Sequence, residues 1–258
     1  MQHAATHRAA TGADPSRGAW PVTMLVLRFS LFLIIQALVA AYYALQGAPS
    51  PWQASVAWWP VGVTLTNLIC YGLLRHLARR EGLTFWQLIK ADFSREYVRK
   101  DLLVLLGVIL LAGPIAIIPN YGLGYLLFGD YMVPVNMFTQ PLPYAVALVA
   151  LFSFPLTMAL GEIPTYFAYA MPRLATRWSS NWKAILAAAF WLGIQHMMLP
   201  FIPDWRFALW RGAEFLPFAL LLGWVLHRRP RLMPYLLLFH VLIDFPVALM
   251  VYQISVGG

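Results

Sequence analysis

The chain has 258 residues, of which 61% are apolar and only 11% charged, and it carries a net charge of +8. That balance excludes an ordinary soluble domain, in which about 25% of residues are charged, and the apolar runs exceed the roughly 20 residues needed to cross a hydrocarbon core. The basic residues lie in short segments between those runs rather than in a patch interleaved with exposed aromatics, so no nucleic-acid partner is expected.

Residues 1–18 are polar and small, punctuated by Gly12, Pro15 and Gly18, and are expected to form a disordered cytoplasmic tail. Residues 19–258 are expected to form a single integral membrane domain. Its first apolar run, Trp20 to about Leu45, is longer than a signal-peptide core of roughly 7–15 residues and reads as a retained helix. Further helices are expected over 53–74, 102–119, 143–172, 184–201, 207–227 and 232–254, with Pro, Gly or charge in each gap. The expected fold is all-α, a polytopic transmembrane bundle of about seven spans in the lipid bilayer. After the second span, "LTFWQLIKADFSREYVRKD" (83–101) mixes apolar and charged residues at helical spacing and reads as a cytoplasmic surface helix. Residues 121–141, with Gly122, Gly124, Gly129, Pro134 and Pro141, read as an irregular or re-entrant connection. No internal repeat is visible. The single cysteine, Cys70, excludes an intrachain disulfide and reads as a small packing residue.

Charge sets the expected orientation. Arg8 and Arg17 precede the first span; Arg75, Arg79, Arg80, Lys90, Arg95, Arg99 and Lys100 follow the second. Arg173, Arg177 and Lys183 follow the fourth, and Arg228, Arg229 and Arg231 follow the sixth. The other side receives only Arg206 and Arg211, beside Asp130, Asp204 and Glu214. This positive-inside asymmetry predicts a cytoplasmic N-terminus and a C-terminus outside.

Few ionisable residues remain within the spans. Arg28 lies near the start of helix one and is expected to snorkel to the headgroups. His227, beside Arg228, reads as interfacial. Glu162, His196, His240 and Asp244 are deeper. Glu162 lies eleven residues before Arg173, His196 thirteen after Lys183, and His240 nine after Arg231. At 1.5 Å per residue these offsets are roughly 16, 20 and 14 Å from the basic boundary. Asp244 shares a helix face with His240, four residues away. A lone histidine in a span is often only a helix–helix hydrogen bond. Matched depth on three helices is what convergence on one site predicts, because polar groups at mid-bilayer are costly unless they meet each other or water. Met197, Met198 and the tryptophans read as packing and interfacial anchors.

Residue types narrow the chemistry. There is no His-Glu-x-x-His and no Gly-x-Ser-x-Gly, and the only Gly-Asp, at 129–130, has no second aspartate at like depth. One glutamate and histidines can activate water as general bases. A neutral histidine or a side-chain amide can donate to a developing oxyanion. Glu162, His196 and His240 could instead hold zinc, and spacing alone leaves these alternatives open.

The stretch "GEIPTYFAYAMPRL" (161–174) resembles the first motif of the CPBP family, the CAAX proteases and bacteriocin-processing enzymes also called the Abi family. Gly161, Glu162, Tyr169, Pro172, Arg173 and Leu174 match that motif, with Tyr166 where an aromatic is usual. "LGIQH" (192–196) is similar to the second motif and "HVLID" (240–244) to the third; together the likeness covers roughly 143–246. Three residues depart from it: Ile163 for a second glutamate, Phe167 for an arginine and Leu192 for a phenylalanine. The resemblance implies a glutamate-dependent intramembrane endopeptidase of a bacterial inner membrane, sometimes labelled a metalloprotease. Its peptide or protein substrate would reach a cavity from the cytoplasmic side. Glu162 and His196 would activate water, and His240 and Asp244 would stabilise the oxyanion, without a required metal. Loss of both charged partners at 163 and 167 reads as coordinated, since losing only one would strand a charge. Two other classes remain: a catalytically silent scaffold or immunity-type protein, and a proton-coupled transporter, against which the lack of a repeat argues.

Overall fold

The computed structural model describes residues 18–90 and 95–257, which are mostly helical, with no strand among them. α1 (Trp20–Leu45) carries Pro21 in its first turn, where its missing N–H leaves no bond unmade. The short α2 (Pro51–Val56) leads into α3 (Trp59–Arg80). α4 (Phe85–Leu88) is one turn, opened by a capping box between Thr84 and Gln87. α5 (Arg95–Phe128) and α6 (Met132–Phe138) follow. α7 (Tyr144–Ile163) runs through a π-helical stretch, Pro164–Ala170, into α8 (Met171–Arg177). α9 (Asn181–Ile194) tightens into a 3₁₀ turn at Gln195–Met198. α10 (Trp205–Ala213), α11 (Leu216–Arg228) and α12 (Met233–Val256) complete the chain.

Among the described residues, five segments are long and apolar enough to cross a membrane: Trp20–Leu45, Lys100–Phe128, Tyr144–Arg177, Trp205–Arg228 and Pro230–Val256. α3 and α9 fall outside that set. α3 dilutes its apolar run with Thr64, Thr66 and Asn67 and ends in Arg75, Arg79 and Arg80, and α9 has only 14 residues. The expected irregular connection at 121–141 is largely helical: α5 continues to Phe128 through Gly122 and Gly124, and only 129–131 and 139–143 break the winding. The expected surface helix over 83–101 is interrupted, because α4 ends at Leu88 and Lys90 takes a positive φ of 57°. Residues 91–94 and the expected N-terminal tail through residue 17 lie outside the described residues.

α7 is central, packed against α3 and α12, while α9 pairs with α11 and α1 crosses α3, α9 and the π-helical stretch. α5 is outermost, with only 11% of its apolar window buried. Leu110, Ile118, Leu126, Val149, Leu238 and Leu242 are exposed, an apolar surface that lipid, not water, would cover. The basic residues Arg79, Arg80, Arg173, Arg177, Arg228 and Arg229 gather at the end where α3, α8 and α11 finish, and Glu81 pairs with Arg173 there.

The buried interior divides into two apolar clusters. Met24, Leu74, Ile163, Leu192 and Leu236 belong to the one nearer the basic end; Phe32, Val63, Met158, Leu199 and Ala248 belong to the other. On each of these five segments a polar residue falls between the two: Arg28, Asn67, Glu162, His196 and His240. Helical rise therefore brings one polar layer to a common depth, sealed by hydrocarbon on both sides.

Candidate functional site

Glu162 is 1% exposed and sits on the last turn of α7, immediately before Pro164 begins the π-helical stretch. Gly161 lets α3 approach at this level, since a Cβ there would lie 2.8 Å from the Asn67 Cα. Both carboxylate oxygens of Glu162 are engaged. Oε1 accepts from Gln195 Nε2 at 2.6 Å and lies 3.5 Å from Arg28 Nη2 and 3.8 Å from His196 Nε2. Oε2 lies 3.1 Å from His240 Nε2.

The four residues expected to form a site, Glu162, His196, His240 and Asp244, are brought together. The His196 Nδ1 lies 2.8 Å from the Leu192 carbonyl and 3.2 Å from that of Gly193. A carbonyl can only accept, so Nδ1 carries the proton and Nε2 presents its lone pair toward Glu162. The imidazole stacks on Phe215, with centroids 4.1 Å apart. His240 Nε2 is 3.2 Å from Asp244 Oδ2, one helical turn on, as well as 3.1 Å from Glu162. Neither approach has hydrogen-bond geometry, so His240 Nε2 and Asp244 Oδ2 are buried at ion-pair distance without a hydrogen-bond partner among the described residues.

Arg28 departs from its expected snorkelling. It is completely buried, and its guanidinium reaches inward. Nε donates to Gln195 Oε1 at 2.7 Å, Nη1 to Asn67 Oδ1, and Nη2 faces Met158 Sδ at 3.5 Å. Tyr166 donates to the same Gln195 oxygen at 3.1 Å. Gln195 therefore links the cation to the carboxylate. Phe167, where the resemblance has an arginine, packs against Gly223 of α11 and is 2% exposed. The positive charge beside Glu162 comes from α1 instead. Arg28, Asn67, Tyr166 and Gln195 were not singled out in the sequence as members of a site. The signal was four polar groups inside apolar runs at the depth of Glu162, and Gln195 stands next to His196.

Glu162, His196, His240 and Asp244 face a cavity of about 240 Å³ whose wall is otherwise mostly apolar. It extends from Glu162 past Phe154 and Met158 on α7, past Val247 and Met250 on α12, and toward Trp59, Phe138 and Leu199. Those residues lie in the half of the bundle away from the basic end. Leu192, Phe218 and Leu222, from the half nearer the basic end, complete the wall.

Among the described residues no group of three or more His, Cys, Asp and Glu side chains is arranged to hold a metal ion. The Arg28 guanidinium 3.5 Å from Glu162 places a fixed positive charge beside the carboxylate that would be a zinc ligand, and like charges there repel. No protein-family model, no curated protein and no solved structure matches the chain.

Proposed function

We propose that this chain is an intramembrane endopeptidase of the CPBP type, hydrolysing a peptide bond with water activated by Glu162 and His196. One observation carries the reading: Glu162 Oε1 and the bare His196 Nε2, two acceptors with no proton between them, stand 3.8 Å apart at the wall of an apolar cavity. A water donating to both would satisfy them and would be held with its oxygen free to attack. In that scheme the water oxygen bonds to the carbonyl carbon, and its proton passes to the Glu162–His196 pair. Collapse of the tetrahedral species then breaks the C–N bond, and the same proton goes to the leaving amine. Gln195 and Arg28 fix Glu162, while His240, whose Nε2 is buried without a hydrogen-bond partner 3.2 Å from Asp244, would donate to the developing oxyanion.

The fuller topology belongs to the same proposal. α3 and α9 complete seven spans, with the basic end cytoplasmic by the positive-inside rule and the bilayer a bacterial inner membrane. The cavity is then reached from the opposite face or from the lipid. A second reading, a catalytically silent scaffold, draws support from the filled polar shell of Glu162 and from buried Ile163 and Phe167. The test is a comparison of peptide termini in membranes of cells expressing wild type or Glu162→Gln at equal levels. Termini present only with wild type are expected. Identical termini with an intact wild-type phenotype would favour the scaffold.

A further inference from the structure

We infer that the pocket where α3 meets α4, at the basic end of the bundle, holds the phosphate of an anionic phospholipid whose acyl chains lie along the outer face of α3. The inference does not depend on peptide hydrolysis. It rests on α3 running through the bilayer, as proposed above.

The pocket has a volume of about 290 Å³ and is lined by Tyr71, Arg75, Arg79, Thr84, Phe85 and Trp86. Arg75 and Arg79 are exposed and four residues apart on one face of α3. Helical rise separates them by about 6 Å, so two long side chains can converge on a single phosphate. Among the described residues neither arginine has an acidic partner. Glu81, the nearest acid in the chain, is held by Arg173 of α8.

The floor of the pocket is aromatic. Tyr71 meets Phe85 edge-on with centroids 4.8 Å apart, and Phe85 meets Trp86 at 5.6 Å. Gly82, at a φ of 72°, and the capping box at Thr84 turn the chain so that α4 brings these rings back against α3. The Arg75 guanidinium carbon lies 5.6 Å from the centre of the Tyr71 ring, which holds this cation over the pocket. Phe85 is buried, whereas Trp86 is exposed beside the cations, as a tryptophan at headgroup level is.

The face of α3 below the pocket selects a lipid over a free phosphate. Leu65, Leu68 and Ile69 are exposed, and a Cβ at Gly72 would meet nothing within 4 Å. Positions 65, 68, 69, 72, 75 and 79 recur at helical spacing, so this open apolar strip leads directly to the two arginines. A phospholipid covers both the strip and the cations, whereas a soluble phosphate leaves the strip bare.

The test is native mass spectrometry of the full chain, titrated with phosphatidylglycerol and phosphatidylcholine in equal amounts. Phosphatidylglycerol should be retained about 5- to 30-fold more tightly, the gain for one to two basic side chains at a membrane surface. Arg75→Gln with Arg79→Gln should remove that preference. Arg177→Gln with Arg228→Gln, two exposed arginines elsewhere at the basic end, removes the same charge and should leave it intact. Equal retention of both lipids, survival of the preference in the first variant, or its loss in both variants would overturn the proposal. So would release of the bound lipid by millimolar inorganic phosphate, which would make this a site for the soluble ion. A nitroxide on Gly72→Cys in lipid nanodiscs checks the path of α3 separately. It should be accessible to dissolved oxygen and shielded from a water-soluble nickel chelate; the reverse would overturn the lipid site through the topology and leave the hydrolytic reading untouched.

Discussion

Arg28 illustrates how a residue's role turns on what it meets. By position it belongs to the headgroups; in the fold it spans Asn67, Gln195 and Glu162 at zero exposure. Removing one member of a buried ion pair costs about 3–5 kcal/mol, since the survivor keeps its desolvation penalty. Arg28→Met should therefore destabilise the chain by about that much, read as a lowered Tm in detergent. Adding Glu162→Gln should recover a large part of the loss. Additive losses would show that the two charges do not depend on each other. Asp244 makes a finer case. Its Oδ2 lies 3.2 Å from His240 Nε2, and an asparagine side-chain oxygen can take the same place facing that nitrogen. Asp244→Asn should keep cleavage within about tenfold, whereas Asp244→Leu should lower it by about 10² or more. Equal rates in both variants would remove Asp244 from the site. Glu162, His196, His240 and Asp244 were legible in the sequence because charge and imidazole are conspicuous in apolar runs. Arg28 was misread because snorkelling and burial demand the same residue at the same position, and only the packing of α1 against α3 distinguishes them. Gln195 carries no charge and gave no comparable signal.

At the scale of elements, the depth of the site is set by close approach of α3 to α7. Gly161→Ala places a Cβ 2.8 Å from backbone at Asn67, and backbone cannot yield as a flexible side chain would. The two helices must part, at a cost of about 1–3 kcal/mol. At Gly122, within α5, a Cβ meets nothing within 4 Å, so Gly122→Ala should instead stabilise by about 0.5–1 kcal/mol. Thermal unfolding of the two variants side by side checks the contrast, and a similar shift in both would contradict it. The helices themselves were readable from apolar runs bounded by Pro, Gly and charge. The continuation of α5 beyond Asn120 was not, because glycines such as Gly122 and Gly124 signal a loop in water yet are tolerated in a lipid-covered helix. The π-helical winding after Glu162 had no signature beyond Pro164, which cannot donate to the ladder.

For the whole molecule, the cavity wall draws on both halves, with Trp59, Phe138, Phe154, Met158, Leu199 and Trp210 in the half away from the basic end and Leu192, Phe218 and Leu222 in the other. Cys70 is fully buried, so single cysteines introduced elsewhere report against a quiet background. With the basic end in the cytoplasm, Met250→Cys in the cavity should react with a membrane-impermeant thiol reagent added outside intact cells. Ser179→Cys, in the turn after α8, should react only after the membrane is opened. The reverse pattern would invert the orientation. The class of the fold followed from composition, and the sidedness of the charges followed from their spacing. The direction of the cavity did not, since it depends on which halves of α7 and α12 fail to pack closely, and a linear pattern does not contain that. The central claim is hydrolysis by water activated at Glu162. Its most direct test takes a substrate named by the comparison of termini and incubates it in ¹⁸O-labelled water with the purified chain in lipid vesicles. One ¹⁸O atom in the new carboxyl terminus is expected with wild type, and no product with Glu162→Gln. Product free of label, or equal product from both proteins, would contradict the claim.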